Sequence, residues 1–141
     1  MVAVLNPYLN FRDNARQAIE FYHSIFGGDL TITTFGELQM PGIEESEYDK
    51  VMHSQIDNTP AGFTLMASDT PAYMQYAPAS AFSVSLSGDE EELLRGYWDK
   101  LSEGATVSMP LGEAPWGGIF GMLDDKFGTS WLVNINAPGQ A

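Results

Sequence analysis

An α+β fold of two tandem βαβββ units is predicted by three features of this 141-residue sequence. The stretch Phe120 to Asn134 alternates like two strands about Asp125-Lys126-Phe127-Gly128, where Gly128 suits a turn that needs positive φ. An earlier stretch, Val51 to Asn58 and Phe63 to Ser68 around Thr59-Pro60-Ala61-Gly62, has the same plan. Each is preceded by a helix-spaced run ending in glycine: Asp13 to Gly28 and Asp89 to Gly104 both span fifteen positions, an offset of 76. At that offset Tyr8 aligns with Val84, Ala18 with Leu94, Phe21 with Tyr97, Tyr22 with Trp98 and Ile25 with Leu101. In the hairpins Gly62 aligns with Gly128, an offset of 66, so loop lengths differ while the elements agree.

Taken in order, Leu5 to Phe11 alternates as a strand, and Asp13 offers an N-cap to a helix carrying Ala15, Ala18, Ile19, Tyr22 and Ile25 or Phe26. Gly27-Gly28 ends it, and Leu30 to Gly36 is a Thr- and Ile-rich strand. Glu37 to Lys50, with Pro41-Gly42 and the acids Glu44, Glu45, Glu47 and Asp49, reads as a solvated loop with helix only in short pieces. The first hairpin completes a unit over residues 4–69, and Asp69 to Ser80 connects it to a second unit over 79–137 within one domain, 1–141. There Ala81 to Ser87 is a strand, Asp89 to Glu103 a helix and Ala105 to Met109 a strand before the second hairpin. Ser87-Gly88-Asp89-Glu90 has capping-box spacing, and Asp89 with Glu92 offers a second version.

Composition narrows the function. At 44% hydrophobic the chain can bury a core. A net charge of -13 with only six Lys and Arg argues against nucleic acid and anionic membranes. Without cysteine, disulfides, thiolate metal sites and cysteine nucleophiles are excluded. No apolar run has the length of a membrane span, and the amino terminus lacks the pattern of a signal peptide, so a cytoplasmic protein is expected.

A βαβββ unit covers one sheet face with its helix and leaves the other bare, and two such units can form a curved cleft. The chain resembles the vicinal oxygen chelate superfamily of glyoxalase and bleomycin-resistance proteins, and within it the PhnB-like branch. The resemblance is carried by Asn6-Pro7-Tyr8-Leu9, Ala18-Ile19-Glu20-Phe21-Tyr22, Val51-Met52-His53, Leu65-Met66-Ala67-Ser68-Asp69, Val107-Ser108-Met109-Pro110-Leu111, Trp116-Gly117, Phe120-Gly121-Met122, Phe127-Gly128 and Trp131. Lys126 departs from it, standing where that branch usually has proline. The resemblance implies a homodimer. Members often carry a demethylubiquinone methyltransferase label, yet no strand here runs into a glycine-rich turn of the kind that cradles S-adenosylmethionine.

Metal-dependent relatives place His, Glu or Gln on the first and last strands of each unit. The matching positions are Asn6, Phe82, Met66 or Thr64, and Leu132. Phe, Met and Leu do not bind a hard divalent ion, so no metal and no cofactor are expected. Strand alternation puts Val51, His53 and Gln55 opposite Met52, Ser54 and Ile56. His53 is then a cleft-facing acid–base or hydrogen-bonding residue, or a histidine satisfied by a neighbouring Tyr, Ser or Glu. Glu113 is the expected carboxylate partner for His53, or a solvated acid. Trp116 is a lid stacking on a flat ligand, or an anchor for its loop. Trp131 reads as core or interface, and His23 as exposed.

The expected lining is Tyr8, Asn10, His53, Gln55, Thr64, Met66, Phe82, Val84, Phe120, Met122, Leu132 and Asn134, mostly apolar with a few polar anchors. It suits a small, partly aromatic molecule. The alternative is a lyase, isomerase or dioxygenase of the same superfamily, using His53 or an unusual metal site.

Overall fold

A computed structural model describes residues 4–39, 41–76 and 82–137. The chain divides into two compact units, Met1–Pro78 and Ala79–Ala141. The first contains β1 (Tyr8–Phe11), α1 (Ala15–Phe26), β2 (Asp29–Thr34), a short α2 (Phe35–Leu38), a 3-10 turn (Glu45–Glu47), β3 (Val51–Asp57) and β4 (Leu65–Asp69). Its sheet runs β1-β4-β3-β2, with β1 parallel to β4 and the other neighbours antiparallel. The second contains β5 (Val84–Gly88), α3 (Glu91–Leu101), β6 (Thr106–Glu113), β7 (Ile119–Asp124) and β8 (Ser130–Ile135). Its sheet repeats the topology as β5-β8-β7-β6. Among the described residues, no helix is long and apolar enough to cross a membrane.

In the first unit α1 buries Ala15, Ala18, Ile19, Tyr22, Ile25 and Phe26, one stripe at helical spacing. The stripe packs on the sheet face that buries Leu9, Phe11, Ser54, Ile56, Leu65 and Ala67. Complete burial of side chains such as Ile19 and Leu65 contributes about 1.5–3 kcal/mol each. The expected Asp13 cap is not formed. Asp13 takes φ 74, and the Ala15 N–H donates to Asp69 Oδ1 (3.0 Å) at the end of β4. The other Asp69 oxygen accepts from the Val51 N–H (3.0 Å), so one buried carboxylate ties the starts of α1 and β3 to β4.

Val51 departs from simple alternation. A register shift between Thr33 and Thr34 puts it fully inside with Ser54 and Ile56, not beside His53. The acidic loop is also less solvated than expected. Glu47 is buried, accepts from the Ala72 N–H (3.0 Å) and pairs with Lys50 Nζ (3.4 Å). Lys50 also pairs with Asp13, whose hydrogen bond raises the ammonium pKa above its usual value against an opposing effect of burial. His23 is half-buried, its Nε2 2.9 Å from the Gly28 carbonyl, rather than exposed.

In the second unit α3 buries Leu94, Tyr97, Trp98 and Leu101. They belong to the same core as Leu123, Trp131, Val133 and Ile135. Gly121 is required there, because a Cβ would stand 2.8 Å from Trp98 Cη2. Neither capping box forms. The N-cap is Glu90 without a side-chain bond, and Glu91 and Glu92 favour the first turn through the helix dipole instead. The helix is correspondingly shorter than Asp89 to Glu103. Strand β6 is longer than Ala105 to Met109, because register shifts on either side of Met109 let Pro110 lie in an edge strand.

The hairpins repeat in atomic detail at the offset of 66. Thr59 Oγ1 accepts from the Phe63 N–H (2.9 Å), and Asp125 Oδ1 accepts from the Thr129 N–H (3.0 Å). The Gly62 N–H donates to the Thr59 carbonyl (2.8 Å) and Gly128 to that of Asp125 (2.9 Å), with φ 90 and 91 at the two glycines. Asp125 Oδ2 also accepts from Trp131 Nε1 (2.8 Å), which fixes Trp131 in the core.

Candidate functional site

Each sheet leaves one face uncovered by its helix. On the first, neighbouring strands place Tyr8 beside Met66, Met66 beside Gln55 and Gln55 beside Thr31, with Asn10 beside Ser68 and Thr33 beside His53. Residues at i, i+2 and i+4 of β3 share this face, so His53, Gln55 and Asp57 form a row.

A continuous hydrogen-bonded chain runs along that row. Tyr8 Oη is 3.3 Å from His53 Nδ1, and the two rings are 5.6 Å apart with planes tilted by 38°. His53 Nε2 is 3.1 Å from Gln55 Oε1. Gln55 Nε2 donates to both oxygens of Asp57, at 2.8 and 2.9 Å. Thr64 Oγ1, just before β4, donates to Asp57 Oδ1 at 3.2 Å. Tyr8, His53, Gln55 and Thr64 are therefore brought together, while Asn10 and Met66 occupy the same face outside the chain. Asp57 lies outside the lining expected from the sequence and joins this face by its place two residues after Gln55. Gln55 holds His53 from the same strand. Glu113 is exposed at the end of β6, lining a hollow of about 270 Å³ with Glu91, Gly117 and Asn136.

The second sheet has a different face on the same scaffold. Phe120 is in register with Asn134, and Met122 with Leu132 and Met109. Trp116 is half exposed and meets Phe120 edge-on with ring centroids 5.3 Å apart. Matching Gln55–Met66 to Met122–Leu132 puts Phe120 where the first unit has His53, and Met122 where it has Gln55. Val84 does not join this face, because it is in register with buried Trp131; Ser85 and Ser87 take its place beside Leu132 and Asn134. Phe82 is exposed and precedes β5. A second groove of about 450 Å³ lies between α3 and β6, lined by Arg95, Trp98, Asp99, Val107 and Leu111. Burial pushes the Tyr97 hydroxyl pKa above its ordinary value, with Glu90 adding to the effect.

The superfamily's metal positions do not fit a divalent ion. Phe82, Met66 and Leu132 offer hydrocarbon or thioether groups, and only Asn6 and Thr64 carry oxygen donors. Among the described residues, no three His, Asp or Glu side chains are grouped to hold a metal.

A family described as 3-demethylubiquinone-9 3-methyltransferase matches residues 3–134. The chain belongs to this family. A structure of protein PA1353 from Pseudomonas aeruginosa is 35% identical, with a TM-score of 0.85, covering 96% of this chain and 99% of that one. The putative 3-demethylubiquinone-9 3-methyltransferase PhnB protein from Bacillus cereus is 25% identical, with a TM-score of 0.70, covering 94% and 99%. Protein YjdN of Escherichia coli K12 is 28% identical over 93% of this chain and 94% of its own length. A glyoxalase/bleomycin resistance protein/dioxygenase family enzyme from Burkholderia phytofirmans shares the fold at 14% identity, with a TM-score of 0.60 over 92% of this chain and 95% of that one. The glyoxalase/bleomycin-resistance fold expected of a PhnB-like chain is thus the fold it has.

Proposed function

We propose that this PhnB-like chain binds a small, partly aromatic molecule on its open sheet faces and does so without a metal at the superfamily position. The observation that carries the reading is the contrast between the two faces. One presents Tyr8, His53 and Gln55 as oriented polar groups; the other presents Phe120, Met122, Leu132 and Trp116 as an apolar, aromatic surface. Few directional groups among apolar ones is the composition of a small-molecule site. Methyl transfer, named in the family's description, has less support. The turn from β1 to α1 is Arg12-Asp13-Asn14 and that from β5 to α3 is Asp89-Glu90, and neither is glycine-rich.

Native mass spectrometry of gently purified, untagged protein tests the reading. A retained organic adduct that is lost in Phe120→Ala supports it, and a near-stoichiometric divalent ion overturns the metal-free part. The same spectra test a homodimer, the assembly that the resemblance implies. A second reading, an acid–base enzyme using His53, is favoured by the fixed orientation of the imidazole between Tyr8 and Gln55. Its signature is turnover of an identified ligand that His53→Gln abolishes while binding persists.

A further inference from the structure

We infer that the first unit presents Tyr8 Oη outward as a hydrogen-bond acceptor, and so selects ring compounds bearing a hydroxyl or N–H donor over the matching carboxylates. The inference rests on the binding reading above and specifies its ligand class.

The argument begins at Asp57. An ionised carboxylate only accepts, and Gln55 Nε2 approaches both of its oxygens at 2.8 and 2.9 Å. The Gln55 amide therefore points its NH2 group at Asp57 and its carbonyl oxygen at His53. That oxygen also only accepts, so the hydrogen between the two residues belongs to His53 Nε2, 3.1 Å away. A neutral imidazole carries one N–H, which leaves Nδ1 with its lone pair. Tyr8 Oη, 3.3 Å from Nδ1, donates its single hydrogen there.

The chain thus runs in one direction, from the exposed phenol through imidazole and amide to the carboxylate, where Thr64 Oγ1 donates from the other side. Bonds aligned this way polarise one another. Tyr8 is 41% exposed, and what its oxygen shows to solvent is lone pairs. A ligand hydroxyl meets an acceptor there. A ligand carboxylate meets lone pairs, on a chain that already carries a net charge of -13.

The test uses the full chain labelled with nitrogen-15 and two matched probes, 2-naphthol and 2-naphthoate. Long-range nitrogen–proton spectra at pH 7.5 should show the His53 ring as the Nε2–H tautomer, with the signal assigned by its loss in His53→Gln. Shift titrations should give about tenfold tighter binding of 2-naphthol, the size of one hydrogen bond. Tyr8→Phe should bring the ratio toward one. Asp57→Asn lets the Gln55 amide turn over and should mix the two tautomers.

An Nδ1–H tautomer overturns the inference, as does a ratio that Tyr8→Phe leaves unchanged while both probes still shift the sheet residues. The second result leaves the binding reading standing. If neither probe shifts residues of either open face at millimolar concentration, the binding reading falls and takes the inference with it.

Discussion

Asp69→Ala should be among the most damaging single substitutions in the first unit. The carboxylate is buried, and each of its oxygens accepts from one backbone N–H, Ala15 at the start of α1 and Val51 at the start of β3, both at 3.0 Å. Ala15 and Val51 are both completely buried, so water has poor access to the amides once the acceptor is gone. A buried donor left without its acceptor costs about 1–3 kcal/mol, so two give about 2–6 kcal/mol. Loss of an anion from the helix N-terminus adds about 0.3–1 kcal/mol. That is a large share of the roughly 5–15 kcal/mol that holds a typical domain folded.

Asp69→Asn keeps the shape but has one oxygen, so it can serve one amide while its NH2 faces the other, and roughly half the loss is expected. Urea unfolding followed by circular dichroism measures both variants, and amide hydrogen exchange locates the effect. Protection should fall at Ala15 and Val51 before it falls in the middle of α1. The reasoning fails if Asp69→Ala costs less than about 0.5 kcal/mol, below any single orphaned amide, or if exchange at the two amides is unchanged.

Gly28→Ala should destabilise the first unit by roughly 2–5 kcal/mol, combining the cost of a left-handed backbone with that of overpacking. Gly28 has φ +87, and an added Cβ would stand 2.4 Å from the Asp57 carbonyl oxygen; an unchanged urea midpoint would refute this. Tyr97 supplies a pH test. Burial raises its hydroxyl above the ordinary 10.0, so the folded state holds the proton more tightly than the unfolded state. Its contribution is complete below pH 10 and is lost as pH rises through the folded value. Lys50, raised from 10.5 mainly by its hydrogen bond to Asp13, loses stability in the same direction above its own unfolded value. Tyr97→Phe should flatten part of the alkaline fall in urea midpoint between about pH 9.5 and 11, and an identical slope in the variant would exclude the Tyr97 contribution.

Much of this architecture was legible because it rests on periodicity. The α1 stripe, the glycine stops and the two hairpins follow from spacing alone, and alternation with Leu132 reads Trp131 as core or interface, of which the structure shows core. The open face of the first sheet was largely readable for the same reason, since Tyr8, His53 and Gln55 keep strict parity with Met66. Parity fails where a strand gains a residue. The irregularity between Thr33 and Thr34 moved Val51 inside, and those around Met109 lengthened β6. Helix caps are poorly legible because a residue of the right type at the right spacing is only one source of an acceptor. Asp69, fifty-four positions away, reached the Ala15 amide first. Glu47 was assigned to solvent because its neighbours are acidic, whereas the Ala72 N–H and Lys50 draw it inward.

The two hairpins close with the same backbone bonds but different keepers, a threonine hydroxyl at Thr59 and a carboxylate at Asp125. The repeated frame thus carries different side chains at matching positions: His53 and Gln55 in one unit answer to Phe120 and Met122 in the other. Such a chain can be edited one half at a time. On the binding reading proposed above, randomising Phe120, Met122 and Leu132 should change the apolar preference and leave the Tyr8–His53–Gln55–Asp57 row of the first unit as it is, so the two repeats offer separate dials.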